Sequence, residues 1–344
     1  MKLSLLLIFL VPFLGFSQLK RSLSARKSFE QAVEQYSKGN SAEALKLFEQ
    51  CIAEDSSFAE AHLNISLIEF SNKNYTKALS SSLTAYKFNK FQAPIFIQVG
   101  KCYFHLDQFD SSTVFFKQGL SYGAKEEIDY LYLAKALSHE SEFREATFYY
   151  GKAIELNTTN ATIYNERGSA YYQLGEYELA AEDFKKSLEL NPGSTAVYSN
   201  LANVALALDD NEAALSYINE GITKANPDQE IQLLILKGNY YKNIGDIENA
   251  SLAYNEAFEL DNQNAVIINN QASILIELDD FEGAFTKCNE ALEIDPEMME
   301  AYFNRGIANE MLRNVEDACM DWEQAFILGS EIAEEYLNSP ICND

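Results

Sequence analysis

Proline and glycine are scarce in this chain, 6 and 15 among 344 residues. Strand-rich folds use both to punctuate their turns, so the scarcity excludes a sandwich or barrel, and plentiful Ala, Leu, Glu, Lys and Gln indicate helix. Histidine occurs three times, and no G-x-S-x-G, G-x-G-x-x-G, H-E-x-x-H, P-loop or calcium-loop pattern is present. Carboxylates abound, but nothing marks two of them as held in a dry pocket with separated pKa values. The expectation is a protein that is not an enzyme and has no cofactor. Basic residues are outnumbered 26 to 52, a formal charge of −26. Nucleic acid, which is bound through clustered Lys and Arg, is therefore excluded as a partner, whereas a basic protein is not.

The five cysteines, Cys51, Cys102, Cys288, Cys319 and Cys342, include no C-x-x-C and no zinc-like spacing. They read as small buried apolar residues. Only Cys319 and Cys342 are close enough in sequence, near the C-terminal end, to pair as a disulfide in an oxidising compartment. The single long apolar run, LSLLLIFLVPFLGF after Met1 and Lys2, is short of the roughly 20 residues of a membrane span. Its charged start and small residues Gly15 and Ser17 make residues 1–17 a signal peptide, followed by a short segment 18–24. An exported chain follows, in the periplasm, at the outer-membrane periphery or secreted, with no transmembrane helix once mature. The alternative is retention of the run as an anchor.

What the chain does have is a period. Steps of 34 residues from Gly168, with one two-residue insertion at Gln229 and Glu230, meet Ala32, Ser66, Gly100, Ala134, Ala202, Gly238, Ala272 and Gly306. The same walk from Ala180 gives eight more Ala or Ser residues, and from Ser187 it gives only Cys, Ala and Gly. Large residues keep register as well, among them Phe48, Phe116, Tyr150, Phe184, Tyr254 and Trp322. Within a copy, apolar positions recur at helical spacing twice, separated by Gly175 and Glu176 and followed by Pro192. Each copy is thus a helix, a tight turn and a second helix. The small columns are read as close contacts, Gly168 making room for the second helix at Ala180 and Ser187 admitting the next copy.

The 34-residue length and the order of aromatic, small, aromatic, Ala, aromatic, small and Pro resemble tetratricopeptide repeats. The chain end GFSQ of the leader and the C-terminal phrase DACMDWEQAFILGSEIAEEYL are similar to exported proteins of Bacteroidota-type bacteria. The resemblance implies an all-α, right-handed superhelical solenoid of nine repeats, 25–58, 59–92, 93–126, 127–160, 161–194, 195–228, 231–264, 265–298 and 299–332. A cap and tail follow at 333–344, with a capping helix over 331–338. Ser28 and Gln35 depart from the pattern, which has bulky residues there. The resemblance further implies a binding scaffold for a protein or extended peptide, gripped on a concave face lined by first helices.

Positions 5, 9, 12 and 13 of each copy are the groove-facing candidates. In copies one to three they give an apolar wall of Phe29, Val33, Tyr36, Leu63, Leu67, Phe70, Ile97 and Phe104, open either to a partner or to packing under neighbouring helices. Lys101 with His105, and Lys135 with His139, lie four apart on adjacent first helices and would form a cationic spot for a carboxylate or phosphate, unless local acids pair the lysines. As metal ligands the two histidines lack a third partner, so no metal site is expected. Further on the wall is polar: Asn165, Ser169, Tyr172, Ser199, Asn203, Asn239, Asn269 and Ser273, whose amides suit a peptide backbone. The carboxylate-clamp order of Lys and Asn is not met, so that activity does not transfer. The competing function is an envelope-associated carbohydrate-binding module, compatible with the Asn and Tyr of the middle copies, and behind it an enzyme with an unrecognised site.

Overall fold

The computed structural model describes residues 22–343, and the expected leader at 1–17 lies outside them. All regular structure among the described residues is α-helical. Nine hairpins follow in chain order. The first five are α1 (Leu23–Ser37) with α2 (Ser41–Glu54), α3 (Ala59–Ser71) with α4 (Tyr75–Phe88), α5 (Ala93–Phe104) with α6 (Phe109–Ser121), α7 (Glu127–His139) with α8 (Phe143–Leu156), and α9 (Ala161–Gln173) with α10 (Tyr177–Leu190). The other four are α11 (Thr195–Ala207) with α12 (Asn211–Ile222), α13 (Pro227–Asn243) with α14 (Ile247–Leu260), α15 (Ala265–Glu277) with α16 (Phe281–Ile294), and α17 (Met299–Met311) with α18 (Val315–Ile327). Two short helices, α19 (Glu331–Leu337) and α20 (Pro340–Asn343), end the chain. None of these helices is long and apolar enough to cross a membrane.

The chain forms two compact units that divide after Asp183, inside α10. Within each, the second helix of a hairpin packs on the first helix of the next, as α4 does on α5 and α16 on α17. First helices also touch one another, α3 with α5, α5 with α7, α11 with α13 and α15 with α17, so they share one side of each stack.

Every hairpin turns at the same register. Position 15 of each copy is left-handed: Gly39, Lys73, Asp107, Ser141, Gly175, Asp209, Gly245, Asp279 and Arg313, with φ between 56° and 82°. Glycine takes this conformation without a Cβ clash, but the other six carry a cost of roughly 1 kcal/mol each. Helix-on-helix packing, not local preference, imposes the turn there. The next residue starts the second helix, and in three copies its carboxylate caps it: Asp210, Asp246 and Asp280 accept from the backbone N–H of Ala213, Asn249 and Gly283 at 3.0–3.1 Å. The insertion at Gln229 and Glu230 is absorbed as helix. Asn226 and Gln229 form a reciprocal capping box that starts α13 early and lengthens it to 17 residues.

All three small columns are buried along the chain. Where a small residue is polar, its hydroxyl closes the hairpin: Ser66 donates to the Ala78 carbonyl (2.7 Å) and Ser112 to the Gly100 carbonyl (3.0 Å). The Gly168-type column does more than admit the Ala180-type column. A Cβ on Gly100 would meet the Phe116 ring at 3.0 Å, and on Gly238 or Gly306 it would collide with Tyr254 or Trp322. The Ser187-type column serves two neighbours rather than one. Gly119 lies against Ile97 and Phe96 of its own copy, whereas Gly221 lies against Tyr198 of its own and Leu233 of the next. Small and large residues therefore interlock in these hairpins, as close packing of an interior requires.

The departures in copy one are resolved locally. Ser28 is buried with its hydroxyl donating to Glu54 (3.4 Å), and Phe29 beside it stacks on Phe58 at 4.8 Å. At the other end, α19 covers Trp322 with Ala333 and Tyr336, the two rings 4.8 Å apart. Cys319 is disulfide-bonded to Cys342, Cα atoms 5.7 Å apart, which ties α20 to α18. The remaining cysteines are buried, and burial pushes the Cys102 thiol up to about 11 and the Cys288 thiol to about 12. Alkylation of the folded, unreduced protein is accordingly expected to label no thiol, and denaturation without reductant to expose three. Labelling at Cys342 before reduction would contradict the disulfide.

Candidate functional site

The apolar wall foreseen on the first three copies divides between core and surface. Leu63 and Ile97 are buried, Leu63 in a cluster with Ala85, Ile95 and Val99 against which Leu67 also packs. Neither Leu63 nor Ile97 is open wall, because the second helix of its own copy and the first helix of the next close over that position. Phe29, Val33 and Tyr36 are half-buried against Phe48 and Phe58. Phe70 and Phe104 belong to a different assembly at the turn end of hairpins two to four.

That assembly contains both Lys/His pairs, in a setting unlike an open cationic spot. Lys135 is ion-paired with Glu166 at 2.6 Å. Lys101 lies 5.6 Å from the centroid of the Tyr132 ring, and burial holds its pKa below the usual lysine value against the opposing charge of Asp129. The imidazoles are ring partners. His105 stacks on Tyr75 (4.6 Å), meets Phe70 edge-on (5.1 Å), and has its Nε2 3.2 Å from the Tyr132 hydroxyl. His139 stacks on Phe109 at 4.0 Å, and Phe104 stands between it and Tyr132. The result is an aromatic ladder running through three hairpins, with an open cleft of about 400 Å³ at its His139 end lined by Asp107, Phe109, Asp110 and Glu140.

Burial lowers the His105 pKa, Asp107 opposing it. A depressed folded value means that the unfolded chain binds the proton first as pH falls. The neutral ring's contribution to stability is thus complete above the unfolded value, near 6.5, and is lost as pH drops through the folded one. NMR titration should give His105 a midpoint below 6.5, and a midpoint above it would refute the desolvated setting.

The polar wall is more varied than its sequence. Ser169 donates to the Asn165 carbonyl (3.0 Å), and Tyr172 tilts against Tyr177 (5.4 Å). In the second unit Asn203 is half-exposed and Asn239 exposed, its Oδ1 accepting from the Tyr254 hydroxyl at 2.6 Å. Asn269 and Ser273 are buried instead. The Asn269 Oδ1 accepts from the Asn304 amide (2.9 Å), and Ser273 donates to the Asn270 carbonyl (2.8 Å).

Two ion pairs went unread in the sequence. Arg167 binds Asp183 through two bonds of 2.7 Å, and Arg305 binds Asp321 while its Nη1 donates to Asn289 of the preceding hairpin at 2.6 Å. Both occupy positions 7 and 23 of their copies. The signal was available: Arg and Asp appear together 16 residues apart in copies five and nine. Hydrogen bonding to Asp183 raises the Arg167 pKa further.

Paired helices of this size, interlocked through small-residue columns and with first helices sharing one side of each stack, define a helical-repeat scaffold. Tetratricopeptide-repeat family models match residues 24–93, 161–194 and 231–264. The chain thus carries tetratricopeptide repeats in these three stretches. Among solved structures it resembles the C-terminal part of a TPR repeat-containing protein from Cytophaga hutchinsonii, at 22% identity and TM-score 0.57, over 70% of this chain and 98% of that one. It also resembles a tetratricopeptide repeat protein from Parabacteroides merdae, at 15% identity and TM-score 0.51, over 74% of this chain and 100% of that one. Yeast Tom70 aligns at 14% identity and TM-score 0.50, over 91% of this chain and 93% of its own. At these identities the likeness is one of fold. No curated protein matches the sequence.

Proposed function

We propose that the protein is an exported, non-catalytic scaffold of the cell envelope that holds an extended peptide segment of a partner protein on its first-helix side. The observation that carries this reading is the pair of amides Asn203 and Asn239, at position 9 of consecutive copies on the touching helices α11 and α13. Each amide offers a donor and an acceptor, as a peptide group does. Packed helices stand about 8–10 Å apart, and an extended chain rises about 3.3 Å per residue, so every third peptide group meets one amide. Tyr254 fixes the Asn239 side chain from behind and reduces the entropy lost on binding.

Photo-crosslinking from position 203 or 239 in native envelopes should capture a protein. The Asn203→Ala/Asn239→Ala variant should bind the captured segment about tenfold more weakly, in line with the loss of two hydrogen bonds. Unchanged affinity would overturn the groove assignment, and specific retention of a glycan, lost in the same variant, would replace peptide by saccharide. The export component is read from the leader, and mass spectrometry of a chain still starting at Met1 would overturn it.

A further inference from the structure

The loops α4–α5 and α6–α7 lie side by side, the rings of Phe91 and Tyr122 being 6.2 Å apart. They present apolar side chains that stay partly open: Phe91 is 76% exposed, Tyr122 47% and Phe88, at the end of α4 and stacked on one face by the His62 ring, 42%. The platform beneath is rigid, because Tyr122 stacks on Phe96 (5.0 Å) and Phe96 meets Tyr86 edge-on (5.3 Å). The Phe91 N–H donates to Asn89 Oδ1 (3.3 Å), which fixes the loop tip.

The charge around this edge runs against the rest of the chain. From Phe70 to Lys125 there are seven lysines and only two acids, Asp107 and Asp110, in a protein of formal charge −26. Lys87, Lys90 and Lys125 each lie within three residues of one of these rings in sequence and are exposed, with Lys87 5.8 Å from the Phe88 centroid and Lys90 5.8 Å from that of Tyr86. The adjoining carboxylates are engaged elsewhere: Glu126 caps α7, and Glu127 accepts from the amides of Asn157 (2.8 Å) and Asn160 (2.5 Å).

We propose that this edge docks the protein on an anionic phospholipid surface, with Phe88, Phe91 and Tyr122 entering the headgroup boundary and Lys87, Lys90 and Lys125 pairing with lipid phosphates. Aromatic rings at loop tips fit a soft, deformable surface, where a protein partner would need recesses to receive them. Lysines at that depth add electrostatic attraction that salt screens. Acidity elsewhere, 30 acidic against 8 basic side chains over residues 184–344, suppresses adhesion of other faces. The proposal is independent of the peptide-binding reading, since it uses another edge and another ligand.

The test uses the full chain carrying Phe91→Trp, with the native Trp322, fully buried, as an internal reference. On vesicles of phosphatidylcholine mixed with phosphatidylglycerol, the indole at position 91 is expected to shift to the blue and to be quenched by brominated acyl chains. Pure phosphatidylcholine should produce neither effect. Lys87→Glu/Lys90→Glu/Lys125→Glu should weaken the quenching titration at least tenfold. A chain held only by an uncleaved leader would bind both vesicles, leave position 91 unquenched and ignore the charge reversal, and that result would overturn the proposal. Capture of an acidic protein rather than lipid by a photo-crosslinker at position 91 would overturn it as well.

Discussion

Replacing Asp321 with alanine is expected to destabilise the last hairpin by about 3–5 kcal/mol, because it strands a guanidinium among packed helices. Asp321 is 6% exposed, accepts from Arg305 and Asn309, and holds the guanidinium where it also reaches Asn289 of the hairpin before. Removing the carboxylate therefore removes the counter-charge, leaves the Asn309 amide without its acceptor and loosens an inter-hairpin tie. Long repeat arrays lose cooperativity, so the effect belongs to α17 and α18 rather than to the whole chain. Hydrogen exchange should show those helices opening while α11 to α14 keep their protection. Emission of Trp322, next in sequence, should move to the red. Wild-type exchange in α17 and α18 would contradict this account. Substituting Met for Arg305 in the same chain removes the orphaned charge and should recover much of the loss.

The second large effect is expected at Phe116, which is fully buried and lies against Gly100 and Tyr132. Phe116→Ala should cost about 3–5 kcal/mol through lost burial and the cavity left behind. The pairing of large with small makes a sharper test. Gly100→Ala alone gains helix propensity but forces a Cβ to 3.0 Å from the ring, whereas in the Phe116→Ala background that Cβ enters vacated space. The alanine at position 100 should thus be about 1 kcal/mol or more better tolerated in the double variant. Additive effects, measured by exchange in α5 and α6, would show that the two columns do not interlock.

The repeat register was legible because it rests on volume. A residue at the Gly238 position must be small for the Tyr254 ring to lie beside it, and the same constraint, repeated along the chain, leaves a period in the sequence. Turn conformation was less legible. Only Gly39, Gly175 and Gly245 announce the left-handed residue, while Lys73 or Arg313 adopts it because packed helices on either side leave no other path. The candidate site was legible only in part. Position 9 was identified as a surface that could carry amides, but its chemistry varies by copy. Asn239 stays exposed on the Tyr254 hydroxyl, whereas Lys135, at the same position, is neutralised by Glu166.

By itself the sequence determined the helix pairs, their common register and the small-against-large seams. These depend on periodicity and volume within about one repeat, and both are written in neighbouring residues. Tertiary structure alone decided which side chains of one register remain available. Position 5 holds a buried Leu63 in one copy and a half-buried Phe29 in another, and a buried Asn269 satisfied by Asn304, 35 residues away, in a third. Exposure and charge pairing at a repeat position are set by side chains of the adjoining copies, which the residue's own sequence neighbourhood does not contain.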